Sequence, residues 1–302
     1  RNCKHLAGVL LMCNTTKTNA AQHPGFAQLL DSLALQPIDD DCFSGVGNVD
    51  SGGRVYGGQV LAQAVIAAYH SVGGGQFMHV LQSSFLLPGD LQAPLEYRVT
   101  RLRDGRSFCA RRVDAWQHGS IIFTANVSFH VAELGPAHGD TMPQVPQPEA
   151  LVDERERIAA LFPDNPYAWP VEYRHIAPMS LVEPTCLPPR AQVWFRAADA
   201  VPGSRALHDA VFAYASDNPI MLPALNAHGI TPFMPDVMLA TLNHAIWFHG
   251  PIAMDDWSLF DGHSDFTGGG RGMGRGRVFS RDGVLRASVM QEGLLRSRPS
   301  DS

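Results

Sequence analysis

Residues 57–70 read GGQVLAQAVIAAYH. Leu61, Ala64, Val65 and Ala68 recur at helical spacing and make one face, and the small alanines let a helix lie close on a sheet. The segment predicts a buried helix. Immediately downstream the pattern turns strand-like. Residues 79–87 are rich in apolar side chains and stop at Pro88-Gly89, a turn signal, while 95–102 are closed by Asp104-Gly105. Phe108–Gln117 and 121–131 flank His118-Gly119, which reads as a hairpin turn. A helix followed by a strand meander is an α+β unit, in which an antiparallel sheet wraps one face around its long helix.

The same order recurs further on. Residues 191–196 read as a strand and 206–215 as a helix with Leu207, Val211 and Phe212 on or near one face. Residues 239–249, 257–261, 275–281 and 284–295 then read as strands, with Asp282-Gly283 as a hairpin signal matching His118-Gly119. Between the halves, GPAHGDTMPQVPQPEA (135–150) carries Pro136, Pro143, Pro146 and Pro148 and few apolar residues. The expected organisation is therefore a duplication: one unit over 24–134, a Pro-rich linker over 135–150, and a second unit over 151–302. Within the first unit, 24–36 place Phe26, Leu29, Leu30 and Leu33 at helical spacing, and 39–41 with the glycines of 45–53 read as a loop.

Residues 1–23 are read apart, as a disordered extension. Arg1, Lys4 and His5 precede an apolar run over 6–12 that is short for a signal peptide and has no convincing cleavage site. Overall composition, 45% hydrophobic and 17% charged over 302 residues, fits a soluble globular protein. A formal charge of -6 gives no electrostatic reason to expect a nucleic-acid or anionic-membrane partner, and no apolar window reaches a membrane span. Five scattered cysteines (Cys3, Cys13, Cys42, Cys109, Cys186) form no CxxC pair, which argues against a zinc site or a disulfide framework and for a reducing compartment. The C-terminal RSRPSDS lacks a peroxisomal address, so the cytoplasm is expected. Thirteen histidines show neither HxxxH nor HExxH spacing, and no metal or other cofactor is expected.

Familiar hydrolase and nucleotide signatures fail. GGGRGMGRG (268–276) looks like a phosphate cradle, yet no GxGxxG register fits and no GK[ST] follows, so it reads as a flexible loop running into a strand. Gly262-His263-Ser264 starts like a nucleophile elbow, but Phe266 stands where the closing glycine belongs, and a polar loop is the plainer reading. Polar residues in apolar places say more. Gln291 is in phase with Leu285, Ala287 and Val289, and a buried amide is costly unless hydrogen-bonded. Asp217 closes an apolar helix just before Asn218-Pro219, facing the unfavourable end of the helix dipole. Thr241 sits near the start of its strand. Each also has a bland reading: a solvated Asp, an ordinary β-branched Thr, a bulge at Gln.

Six segments lift these residues above that background. YASDNPIMLPAL (214–225), LATLNHAIWFHGP (239–251) and RDGVLRASVMQEGLLR (281–296) resemble the acyl-CoA thioesterase II family of double-hotdog enzymes. In the first half RVYGGQVLAQA (54–64), SFLLPGD (84–90) and RDGRSFCARRVDAWQHG (103–119) are similar to the same family, and all six occur in the family's order. The resemblance implies an acyl-CoA substrate, a homodimer or dimer of dimers, and a catalytic water held by Asp217, Thr241 and Gln291. Asn243 and Ala245 depart from the Asp and Ser usual in relatives. The trio suits a thioester. Its leaving thiolate has a conjugate-acid pKa of roughly 8.5, so a positioned water and some carbonyl polarisation suffice without a strong general acid.

Aligning the two halves places Val127 opposite Gln291 and Gln63 opposite Asp217, so one site per chain is expected. An enoyl-CoA hydratase needs an Asp with a His a few residues on. The next histidine after Asp217 is His228, eleven positions away across a proline, which tells against hydration. A non-catalytic acyl-CoA binder has no need to retain all three polar residues.

Overall fold

The structure, a computed structural model, describes residues 23–49, 51–161 and 169–297. Residues 1–22 of the extension, with Cys3 and Cys13, lie outside the described residues. The first half comprises α1 (Pro24–Leu33), β1 (Gln36–Asp39), β2 (Cys42–Gly45), α2 (Gly57–His70), β3 (Gln76–Phe85), β4 (Leu95–Asp104), β5 (Phe108–Gln117) and β6 (Ser120–Val131). The helix expected over 24–36 stops at Leu33, and part of the expected loop is the antiparallel pair β1–β2, turned at Asp41 with φ 55°. All four residues of β1 are exposed, so no apolar alternation marks it. At His118-Gly119 both φ angles are positive, 49° and 75°, as a two-residue type I′ hairpin requires.

The second half comprises α3 (Glu154–Leu161), β7 (Val171–His175), β8 (Arg190–Ala197), α4 (Arg205–Ser216), α5 (Leu222–Asn226), β9 (Val237–Phe248), β10 (Ser258–Gly268), β11 (Arg271–Ser280) and β12 (Leu285–Ser297). Two expectations are corrected here. Gly262-His263-Ser264 lies inside β10, and the glycine-rich run is a hairpin: Gly269 and Gly270 form the turn with φ 59° and 74°, and β11 starts at Arg271. At the last hairpin only Gly283 has positive φ, 89°, and the register slips between Val278 and Phe279, so this is a bulged turn.

The twelve strands of the described residues make one sheet in the order β1-β2-β4-β5-β6-β3-β9-β12-β11-β10-β8-β7. Read outward from its middle, each half repeats the same sequence of strands, which is the α+β double hotdog. The halves join where β3 pairs antiparallel with β9, Val80 opposite Trp247 through Ser84 opposite Asn243. On the inner face α2 and α4 pack against each other, and α2 is buried from Gly58 through Ala68. Between the helices, the Tyr69 hydroxyl donates to Asp209 Oδ2 (2.6 Å), tying the two halves together, while within α4 Arg205 Nε pairs with Asp209 Oδ1 (3.1 Å). The Pro-rich segment crosses the outer face of the second half. Met142, Val145 and Leu151 cover Trp194, Trp257, Leu259 and Phe279, and Trp194 Nε1 donates to the Pro146 carbonyl (2.9 Å). Among the described residues no helix is long and apolar enough to cross a membrane.

Candidate active site

The end of α4 carries the first site residue. Asn218 precedes Pro219, which disfavours helical backbone, so the helix stops and Asp217 becomes its C-cap at φ -69°, ψ -25°. A carboxylate there meets the negative end of its own helix. The first half offsets this. The N-terminus of α2 points at Asp217, whose carboxylate accepts the Gly58 N–H. A Cβ on Gly57 would lie 2.9 Å from Asp217 Oδ2, and one on Gly58 only 2.4 Å from the Tyr214 carbonyl, so glycines permit the approach. Tyr56 ties the junction by donating its hydroxyl to the Tyr214 carbonyl (3.2 Å).

Strand β9 supplies the next residues through a defect. Along β12, Gln291 faces His244, Glu292 faces Asn243 and Gly293 faces Thr241, leaving Leu242 unmatched. This bulge turns both Thr241 and His244 inward, although residues three apart on a regular strand point to opposite faces. Asn243 supports it, its Oδ1 accepting the Glu292 N–H (3.1 Å), which gives the departure from the family pattern a local role.

Asp217, Thr241 and Gln291 thus come together in one connected set. Thr241 Oγ1 donates to Asp217 Oδ1 (2.9 Å), and Gln291 Nε2 donates to Thr241 Oγ1 (3.2 Å). Beyond them, His244 Nδ1 meets Gln291 Oε1 and its Nε2 meets Ser216 Oγ (3.0 Å). Asp217 is 8% exposed, Gln291 2% and His244 0%. Burial pushes the Asp217 carboxyl above the ordinary carboxylate range, against the opposing pull of His244 and of the Thr241, Gly58 and Gln291 hydrogen bonds. Burial likewise lowers His244, against the attraction of Asp217. The pair is a strengthened base beside a neutral imidazole.

His244 escaped the sequence reading, because its inward aim depends on the bulge. Its presence also corrects the argument from His228: a histidine does reach the Asp217 site, from a neighbouring strand. Both ring nitrogens are taken by Gln291 and Ser216, so it does not form the acid/base dyad a hydratase needs.

The alignment of Gln63 with Asp217 is also corrected. Gln63 lies within α2, where its amide donates to the Ser32 and Val46 carbonyls and accepts from Tyr97 (2.8 Å). The helix-end counterpart of Asp217 is Ser71, the C-cap of α2, clamped by Arg111 through its hydroxyl (2.8 Å) and carbonyl (3.1 Å). Val127 is a buried core residue. Neither Ser71 so held nor Val127 offers a base.

A cavity of about 690 Å³ is lined by Tyr56, Tyr214 and Asn218, neighbours of the Asp217 junction, and by Ile158, Tyr173 and Leu222; Asp217, Thr241 and Gln291 are not themselves in its wall. A buried carboxylate at the meeting point of two helices inside a doubled hotdog is a candidate hydrolytic site. Comparison with known proteins makes this specific. The family described as "Acyl-CoA thioesterase" matches residues 165–294, and its "Acyl-CoA thioesterase N-terminal domain" matches 46–130. Acyl-coenzyme A thioesterase 8 of Mus musculus is 36% identical over 287 residues, 89% of each chain. Acyl-CoA thioesterase 2 of Haemophilus influenzae is 36% identical over 276 residues, 89% of this chain and 96% of that one. The crystal structure of an acyl-CoA thioesterase II from Mycobacterium marinum superposes with a TM-score of 0.75 at 33% identity, covering 90% of this chain and 99% of that chain. The chain belongs to the acyl-CoA thioesterase II family of thioester hydrolases.

Proposed function

We propose that the chain hydrolyses fatty acyl-CoA to free acid and CoA at one site per chain, by attack of a water held by Asp217, Thr241 and Gln291. The observation that carries this is the buried, continuous hydrogen-bond chain ending on the Asp217 carboxylate, whose neighbour Asn218 lines the cavity. The acyl group lies in the cavity with its carbonyl toward α2. Asp217 takes a proton as the water oxygen bonds to the carbonyl carbon. The positive end of α2 faces the oxyanion that develops. The C–S bond then breaks, and the CoA thiolate leaves without strong acid assistance. Free-thiol release from acyl-CoAs of increasing chain length, read with a thiol dye, tests the reading. Turnover with at least one of them is expected, and none across short to long chains would reject it.

Gln291 separates a catalytic from a structural role for the polar set. Were it only a satisfied core amide, Gln291→Ala would cost roughly 1–3 kcal/mol of stability and leave the activity of the folded fraction alone. As a water-orienting group it is expected to lower kcat and kcat/KM together by about 10²-fold. Adding Thr241→Ala should then cost far less than its own single-mutant loss, because both groups serve one water. Strictly multiplicative losses would end the shared-water account.

Assembly as a homodimer or dimer of dimers, in the cytoplasm and in fatty-acid metabolism, completes the proposal. Light scattering is expected to give a multiple of 32.8 kDa at micromolar concentration, and the monomer mass would reject the assembly.

A further inference from the structure

We infer that His244 is a positioning residue for hydrolysis: its ring fixes which way the Gln291 amide faces, and through it where the Thr241 proton points. The inference rests on the proposed water-holding role of Gln291.

The polarity of the chain is forced from its charged end. An ionised Asp217 can only accept, so Thr241 must give it its hydroxyl proton (2.9 Å). The Thr241 oxygen is then left to accept, and Gln291 must turn its Nε2 toward it (3.2 Å). That leaves Gln291 Oε1 facing His244 Nδ1, which has to carry the proton. At the other side of the ring Ser216 Oγ stands 3.0 Å from Nε2 and also 3.0 Å from the Ala213 carbonyl, so with the ring proton on Nδ1 its single hydroxyl proton must go to Nε2 rather than to Ala213. The lowered basicity of the buried ring keeps Nε2 free to accept.

Consider the same site with an apolar side chain at 244. The amide of Gln291 has two orientations of nearly equal shape. In the second, Oε1 faces Thr241 and draws the hydroxyl proton away from Asp217, so the carboxylate loses a hydrogen bond and the water-facing edge changes from donor to acceptor. With His244 present, that orientation would set the amide N–H₂ against the Nδ1–H. The ring therefore selects one of two otherwise close states. Three features hold the ring against this amide: the bulge that turns His244 inward, its complete burial, and the serine at the last position of α4.

The test pairs two substitutions with a resting-state signature. In His244→Asn the side-chain amide keeps a donor near the Nδ1 position. In His244→Leu it is lost. Expected are a fall of about 10²-fold in kcat for Leu with KM within about threefold, and retention within about tenfold for Asn. In a Gln291→Ala background His244→Leu should cost less than about threefold more, since no amide remains to orient. Asn as inactive as Leu would mean that the imidazole itself moves a proton, and multiplied losses would mean independent action. Either overturns the inference. Nitrogen NMR of the wild-type ring gives a readout that needs neither turnover nor a folded variant: protonation at Nδ1 is expected, and protonation at Nε2 alone overturns it. A wild type that hydrolyses no acyl-CoA would instead sink the proposed function, whatever the tautomer.

Discussion

Asp217→Asn is expected to lower kcat by about 10³-fold or more, the scale of a lost general base, while acyl-CoA binding and the fold persist. The change is nearly isosteric, and the amide oxygen can still accept from Thr241. Stability should hold for a second reason. Burial raises the Asp217 pKa in the folded chain, so this group adds stability that is full below the ordinary carboxylate range and is lost as pH rises through the raised value. Above the raised value the wild type has therefore lost that contribution, and there the uncharged variant should melt no lower than wild type. The same shift sets the sign of the pH profile. Hydrolysis needs the ionised form, so wild-type kcat/KM should fall on acidification through a midpoint above the usual Asp value of about 3.9. Measuring turnover and melting temperature side by side decides the matter. Activity within about tenfold of wild type, or a loss that follows a lowered melting temperature, would remove Asp217 from the role of base.

Much of this architecture was legible in the chain, because its main elements are long and strongly patterned. The apolar face of α2 and the meander of β4 to β6 with its His118-Gly119 turn read directly from periodicity and turn chemistry. Other elements carry no such signal. Strand β1 is exposed throughout, and α3 (ERERIAAL) buries only Ile158. The site divides the same way. A Gln in phase with core residues and an Asp at an apolar helix end are anomalies that composition and phase expose. The inward turn of His244 is not, because it depends on an unmatched Leu242 whose partner strand lies some fifty residues away in sequence. Ser71 was missed for a related reason: shared helix ends, rather than aligned residues, determine what corresponds between the halves.

The run GGGRGMGRG shows most clearly how local reading fails and tertiary contact succeeds, and it yields the largest expected effect on stability. Its glycines resemble a phosphate cradle, yet Gly272, Gly274 and Gly276 alternate along the inner face of β11. A Cβ on Gly274 would stand 1.9 Å from the Ile220 carbonyl oxygen and 2.9 Å from its carbon, and one on Gly276 would stand 2.0 Å from the Phe260 ring. The obstacle at Gly274 is backbone, which cannot rotate away as a flexible side chain can. Moreover, Gly274 pairs directly with Gln291 across the sheet, so the chain following Asp217 rests on the strand beside the site. Gly274→Ala must therefore lift the segment from Asp217 to Ile220 off the sheet or bend β11. Overpacking of this severity is expected to cost about 3 kcal/mol. Activity should fall with it, because lifting that segment draws Asp217 away from Thr241 and Gln291. Gly73→Ala is the control, since a Cβ there would meet nothing within 4 Å, and it should change stability by less than about 0.5 kcal/mol. A phosphate cradle would behave otherwise: Gly274→Ala would raise KM for acyl-CoA and leave the melting temperature unchanged. That outcome would favour the phosphate-cradle reading rejected from the sequence and remove close packing as the reason for its glycines.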